Sequence, residues 1–336
     1  MMDAATTPVK LETAEGDALR RLLRDMLLIR RFEEKSAEAY AHGKIGGFCH
    51  LYIGQEAVAV GTMAALRPDD YVLTSYREHG QALARGISAR AVMAELFGKA
   101  TGSSGGKGGS MHIFDAGLNF LGGHAIVGGH IPLVTGVAFA IKYREGDQVA
   151  VGFFGEAAVN NGAFHEALNM AAVWRLPAIY ICENNRYGMG TALERASAIY
   201  DVAQRACSYD MPAEVVDGMD VLAVRDAVRR AAQRGRERYT PTLLEIRTYR
   251  FMGHSMSDPI HGHYRTKDEV EVAKGKDPIH TFADKLRAEG LLDDDRWQTM
   301  EAEVADEVDD AVRFADESAD PVPEALFTDV YRAEGA

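Results

Sequence analysis

A parallel α/β sheet with helices on both faces, and a helical arm at each end of the chain, is the fold that this sequence predicts. Three observations carry the expectation. Residues 149–190 (VAVGFFGEAAVNNGAFHEALNMAAVWRLPAIYICENNRYGMG) read as strand, tight turn, amphipathic helix, second strand and Asn-rich loop, which is a βαβ unit. Short apolar runs bounded by turn residues, YVLTS and TLLEI, suit further strands buried on both faces. Towards both ends of the chain the apolar residues recur at helical spacing instead.

In chain order, residues 1–16 read as a tail. Leu19, Leu22, Leu23, Met26 and Leu27 then predict a helix from Asp17 to Ala41. The glycines around Ile45 interrupt it, and a second helix is expected over Gln55–Ala65. RPDDYVLTSYREHG is a turn, a short strand and a polar strand-end loop, and residues 88–98 form a helix. Residues 101–136 are rich in Gly and His. Met111, Ile113, Phe114, Phe120, Leu121, Ile126 and Val127 interleave those glycines, which argues against a flexible linker and for close approach of backbone to a ligand or another chain. Ile131–Tyr143 is an apolar helix leading into the βαβ unit. PAEVVDGMDV is a strand and turn, Val221–Arg234 a basic-faced helix, and PTLLEIRTYRF a buried strand. GHSMSDPIHGHYRT is another polar loop, and an acidic helical region follows from Lys267 to about residue 318. The expected division is 1–64 (tail and helical arm), 65–266 (α/β domain) and 267–336 (helical acidic segment).

At 336 residues, 47% hydrophobic and 26% charged, the chain can bury a sizeable core. A net charge of -13 argues against nucleic acid and polyanionic membranes as general partners, while leaving room for an anionic substrate. Cys49, Cys182 and Cys207 form no CxxC pair, so neither a disulfide framework nor a zinc site is implied. Without a basic-flanked apolar leader or a membrane-length apolar run, a cytoplasmic protein is expected.

Several motifs fail on their residues. GSSGGKGG resembles a phosphate-binding loop, but Thr101 stands where its first Gly belongs and Gly108 where Ser or Thr should hold a metal. No GxGxxG joins a strand to a helix. HEALN ends in Asn169, so His165 reads as a packing or helix-surface residue. The βαβ unit survives. Glu156 closes its first strand and Asn184 and Asn185 close its second, and a right-handed crossover brings neighbouring strand ends together. Ligands of open parallel sheets sit beyond those ends. A carboxylate, an amide and backbone carbonyls suit a hard cation such as Mg2+, completed by phosphate oxygens.

Residues 149–190 resemble the thiamine-diphosphate motif, which opens with Gly-Asp-Gly and closes with Asn-Asn. GGFCHLYIGQEA, TSYREHG, GKGGSMH, GGHAIVGGHIP, ENNRYGMGT, VDGMD and GHSMSDP with YRT follow the order of the α subunits of 2-oxo-acid dehydrogenase E1 components, nearest the pyruvate dehydrogenase branch. The resemblance spans roughly residues 20–330. It implies a thiamine-diphosphate-binding fold of the diphosphate-binding type. By the same resemblance, Glu156, Asn185 and the Tyr187 carbonyl would hold Mg2+. Tyr76 and Arg77 would grip the diphosphate, a task suited to a guanidinium fork. Backbone atoms of Ala125 and Val127 would meet the pyrimidine, and amides of Ala157 and Ala158 the diphosphate. His254 would lie over the diphosphate, with His79 and His50 at further active-site positions.

Three residues depart from the family pattern. Glu156 replaces Asp at an ion that favours ~2.0–2.1 Å octahedral contacts, Ala157 replaces the second motif Gly, and Met252 replaces a common His. The resemblance implies oxidative decarboxylation of pyruvate, with the acetyl unit passed to the lipoyl group of an E2 acyltransferase. It also implies a β subunit completing an α2β2 heterotetramer, since one sheet domain supplies only half of a thiamine site. Acetoin dehydrogenase α and branched-chain E1 α share this machinery. A non-catalytic assembly subunit is the alternative of another class. Ser255 stands where kinases act on animal relatives but reads as a plain loop serine, and Ala192 stands at another regulatory serine position.

Overall fold

The computed structural model describes residues 14–331. Most of the expected tail therefore lies outside the described residues. Eleven α-helices and eight strands occupy them: α1 (Ala14–Ala41), α2 (Glu56–Met63), β1 (Tyr71–Ser75), α3 (His79–Arg85), α4 (Ala89–Leu96), β2 (Phe120–His124), α5 (Ile131–Tyr143), β3 (Ala150–Gly155), α6 (Gly162–Trp174), β4 (Ala178–Asn184), β5 (Tyr187–Gly188), β6 (Thr191–Ala192), α7 (Leu193–Ala196), β7 (Ala213–Asp217), α8 (Val221–Arg238), β8 (Thr242–Arg247), α9 (Lys267–Lys274), α10 (Pro278–Ala288) and α11 (Asp294–Glu317). Six strands form one parallel sheet in the order β2-β1-β3-β4-β8-β7, while β5 and β6 make a small antiparallel hairpin.

Alternating side chains give the sheet two apolar faces. Val72, Val151, Phe153, Ile179, Ile181, Leu244 and Ile246 point into one cluster, and Leu73, Ala150, Phe154, Ala178, Tyr180, Cys182 and Leu243 into the other. Helices α5 and α6 cover the second face. On the first face α8 packs against the strands and α2 packs behind it, with α1, α3, α4, α10 and α11 in the same cluster. Polar caps set several starts: Asp220 accepts from the amides of Leu222 and Ala223 at α8, and Asp293 from Arg296 at α11. The two arms share the sheet's core. Leu23, Met26, Ile29 and Phe32 of α1 are fully buried. At about 1.5–3 kcal/mol each, their exposure would cost roughly 6–12 kcal/mol, comparable to the whole stability of an ordinary domain.

Two differences from the sequence reading matter for the site. Strand β2 lies inside the Gly/His-rich stretch, where no strand was expected. Its glycines serve close approach within this chain: a Cβ on Gly123 would stand 1.8 Å from the buried Glu78 carboxylate. Helix α8 runs to Arg238, four residues beyond the expected end. No helix among the described residues is long and apolar enough to cross a membrane.

Candidate functional site

From β1 the sheet grows to β2 on one side and to β3 on the other, so the direction of winding reverses between β1 and β3. A crevice at such a reversal, beyond the carboxyl ends of the strands, is where open α/β sheets bind ligands. A cavity of about 250 Å³ occupies that position. Ser75 enters it at the end of β1, with Tyr76 and Arg77 just after, Glu156 to Ala158 after β3, and Asn185 and Tyr187 after β4. Val127 and His130 arrive from the β2–α5 connection, with Gln55 from the start of α2 and His254 from the loop beyond β8.

Glu156 and Asn185 meet as expected from the crossover, because β3 and β4 pair with Gly155 opposite Glu183. The Asn185 amide N–H donates to Glu156 Oε2 at 3.2 Å. Glu156 Oε1 is buried and has no hydrogen-bond partner among the described residues. Burial raises its carboxyl above the usual range, opposed by backbone N–H donors and by Arg250 and Arg77. A buried carboxylate oxygen left without a donor costs free energy unless a cation or proton meets it. The Asn pair divides. Asn185 faces the cavity, whereas the Asn184 side chain turns to Glu245 Oε1 at 2.8 Å. Beyond them Arg186 (φ 74°) and Met189 (φ 54°) take left-handed backbone, which bends the chain into the β5–β6 hairpin. Ala157 projects its methyl against Gly188, where a Cβ would come within 2.5 Å of it.

Arg77 is buried and donates to the carbonyls of Leu51 and His254, each at 2.7 Å. Burial, then the neighbouring Arg250 guanidinium, lowers it to about 10, so it stays charged at neutral pH. The His254 loop is closed by Asp258, which accepts from the His254 amide at 2.7 Å and from the Tyr264 hydroxyl at 2.6 Å. His50, Tyr76 and His254 form an aromatic cluster with ring centroids 4.6 to 5.8 Å apart. Burial and the Arg77 charge hold His254 down to about 4 and His50 to about 2, so both rings are neutral at pH 7.

Not every expected residue lines the cavity. His79 lies outside that lining: its Nδ1 meets Glu33 at 2.8 Å and its Nε2 meets Ser110 Oγ at 2.9 Å, because α3 begins there and turns the ring into the core. Ala125 and His50 also lie off the lining, the His50 ring standing against Tyr76 and His254, while Val127 is on it. His165 bonds the Tyr209 hydroxyl at 2.6 Å, in keeping with a packing role. Among the described residues no group of three or more His, Cys, Asp or Glu side chains could hold a metal ion. The donor set at the cavity is instead the Glu156 carboxylate beside the Asn185 amide and backbone carbonyls, with Glu183 the other carboxyl group on the lining.

Three buried polar lining residues escaped the sequence reading. His130 gives Nε2–H to the Phe153 carbonyl at 2.6 Å, and burial lowers it to about 4. Glu183 accepts from the Tyr52 hydroxyl and from Gln81 Nε2 at 3.1 Å, and burial pushes it up to about 7. Gln55 accepts from Asn185 Nδ2 at 2.9 Å. Each belongs to a segment already singled out (GGHIP, ENN, IGQEA), but nothing local distinguishes it from its neighbours.

The profile of the family described as "Dehydrogenase E1 component" matches residues 24–324. A Rhizobium meliloti (strain 1021) protein named "Pyruvate dehydrogenase E1 component subunit alpha" is 51% identical over 308 residues, covering 91% of this chain and 88% of its own. A protein of the same name from Zymomonas mobilis subsp. mobilis is 46% identical over 319 residues, covering 94% and 89%. The mitochondrial type I protein of Ascaris suum, also named as that subunit, is 48% identical over 307 residues, covering 91% and 76%. With the matched profile spanning the whole sheet and both arms, this chain belongs to the dehydrogenase E1 component family.

Proposed function

We propose that this chain is the α subunit of a pyruvate dehydrogenase E1 component, acting in the thiamine-diphosphate-dependent oxidative decarboxylation of pyruvate. The acetyl unit passes to a lipoyl group on an E2 acyltransferase. The observation that carries the reading is the buried, unpartnered Glu156 Oε1 beside Asn185, at the strand ends where two buried guanidiniums add positive charge. Glu156, Asn185 and the Tyr187 carbonyl would hold Mg2+, whose preference for oxygen ligands and a few protein contacts suits that set. Tyr76, Arg77 and the amides of Ala157 and Ala158, at the start of a 3-10 turn (Glu156–Asn160), would hold the diphosphate. Bound there, thiamine diphosphate supplies an electron sink for carbon–carbon cleavage next to a carbonyl.

The chain's own residues set the conditions for that chemistry. Arg77 and Arg250 provide a positive field that favours binding of an anionic substrate and of a diphosphate. His254 and His50 present neutral rings whose Nδ1 atoms have no partner among the described residues, so they can take or give a hydrogen bond without adding charge. His79 acts one step back, holding Ser110, which also accepts from the His50 amide at 3.3 Å. Ala125 would meet the pyrimidine through backbone atoms.

An E1 β subunit would complete an α2β2 assembly in the cytoplasm. Ile126 and Val127 stand exposed at the cavity rim, and Leu133, Phe139, Tyr143, Met170, Val173 and Trp174 expose an apolar face on α5 and α6. Exposed patches of this kind mark contact surfaces.

The test co-expresses the chain with its β subunit and titrates thiamine diphosphate by calorimetry, with and without Mg2+. Metal-dependent uptake is expected, together with ferricyanide-coupled turnover of pyruvate ahead of 2-oxobutyrate, 3-methyl-2-oxobutanoate and acetoin. Uptake indifferent to metal would refute the site, and preference for acetoin would refute the substrate.

A further inference from the structure

Gln55 opens α2, 130 residues upstream of Asn185, and it is 1% exposed. Its backbone is fixed on both sides. Gly54 before it takes φ +99°, with the Tyr249 carbonyl 2.3 Å from where a Cβ would stand, and the Gly54 amide donates to Glu56. The Gln55 amide donates to Tyr52 O at 3.1 Å. The side chain is therefore delivered to the cavity from a rigid start.

The orientation of both amides follows from one backbone group. The Tyr187 N–H can only donate, and it meets the Asn185 side chain at 3.3 Å, so the Asn185 atom there is Oδ1. Nδ2 then lies on the Gln55 side, and the Gln55 atom facing it at 2.9 Å must be the acceptor Oε1. Gln55 Nε2 is left buried with no partner among the described residues, as is Glu156 Oε1 on the same cavity lining. One unpartnered donor and one unpartnered acceptor thus flank the Asn185 amide.

We propose that Gln55 is a positioning residue of the cation site: its Oε1 locks the Asn185 amide with Oδ1 available to the metal, and its Nε2 donates to the phosphate that accompanies the metal. Without that lock only the 3.3 Å contact from the Tyr187 N–H holds the amide, which can then rotate and present NH2 to the cation. Partners that orient a metal ligand commonly carry a 10- to 100-fold share of metal affinity. This inference rests on the cofactor-holding role proposed above for the cavity.

The experiment strips the αβ assembly of divalent ions and titrates it with Mn2+, read by electron paramagnetic resonance, in the presence of thiamine diphosphate. Gln55→Leu is expected to weaken Mn2+ by roughly 10- to 100-fold. With thiamine diphosphate kept saturating for every variant, an Asn185→Asp background lets either carboxylate oxygen face the metal, so there Gln55→Leu should cost less than about threefold. A Gln55→Leu variant that binds Mn2+ as wild type does, or one whose loss persists undiminished in the Asp background, overturns the proposal. Should Gln55→Leu fail to fold, Gln55→Glu decides. It keeps an acceptor of the same length, so Mn2+ should bind no more weakly than in wild type while thiamine diphosphate weakens tenfold or more; a tenfold loss of Mn2+ affinity overturns the lock. A wild-type assembly that takes up no Mn2+ overturns the cofactor reading and this inference with it, whereas normal wild-type uptake beside an unaffected Gln55→Leu variant overturns the inference alone.

Discussion

Replacing Glu95 with Gln should loosen the glycine-rich segment that the sequence offered as a failed phosphate loop. Glu95 is fully buried on α4, and its carboxylate gathers four backbone amides: Ser104 at 2.8 Å and Gly106 at 2.9 Å on Oε2, Gly108 at 2.7 Å and Gly109 at 3.1 Å on Oε1. The substitution keeps the shape but turns an NH2 towards two of those donors. Two hydrogen bonds to a charged acceptor are worth about 3–6 kcal/mol. The segment is only half-buried, so freed amides can turn to water, and the lower end of that range, about 3 kcal/mol, is the expected loss. Ser110 follows directly and binds both the His79 ring and the His50 amide, so the loosening should reach the cavity mouth. Urea denaturation gives the stability change, and amide hydrogen exchange gives its location. Unchanged protection of the amides of 104–109 in Glu95→Gln would refute the anchoring role, whatever the midpoint does.

Asn185→Ala should abolish turnover by weakening Mg2+ and diphosphate binding while circular dichroism stays that of wild type; activity retained at saturating cofactor would mean that the metal lies elsewhere. Gly188→Ala should cost about 1–3 kcal/mol, because its Cβ would press on that of Ala157 with nothing else closer than 3.8 Å. Ala157→Gly should relieve that strain, and a purely additive double mutant in chemical denaturation would contradict the contact. His130 keeps its proton off until about 4, whereas the unfolded chain takes one up near 6.5. Its contribution to stability is therefore complete above about pH 6.5 and falls by about 1.4 kcal/mol per pH unit as the pH drops towards 4. Urea midpoints between pH 8 and pH 4.5 should decline less steeply in His130→Gln, and an identical slope would remove the buried neutral histidine from the account.

The parts of this fold that were legible in sequence are those with their own period. The β3–α6–β4 unit alternates apolar residues cleanly, ends each strand in a polar group, and needs one short crossover, so Glu156 and Asn185 could be brought together from spacing alone. Strand β2 was not legible, since FLGGH carries two glycines, one of which packs on the Glu78 carboxylate far from it in sequence. Gln55 was legible only as part of a helix start, because its partner Asn185 lies 130 residues away. His79 shows the opposite case. Resemblance gave it as a further active-site position, and α3 begins at that residue and directs the ring towards Glu33. Resemblance transfers positions, and the first turn of a helix decides where each side chain goes.

Helix α1 packs along α11, and Arg24 reaches Glu307 across 283 residues of intervening chain. At the usual pace of ribosomal synthesis, roughly 15–60 s separate the appearance of those two residues. Through that interval Leu23, Met26, Ile29 and Phe32 emerge without the last helix of their cluster, while the βαβ unit can already close. A segment made early is among the last to be fully covered. Nascent-chain pauses or truncations before Asp294 should thus expose an apolar helix to chaperones, even though the site residues have all been translated.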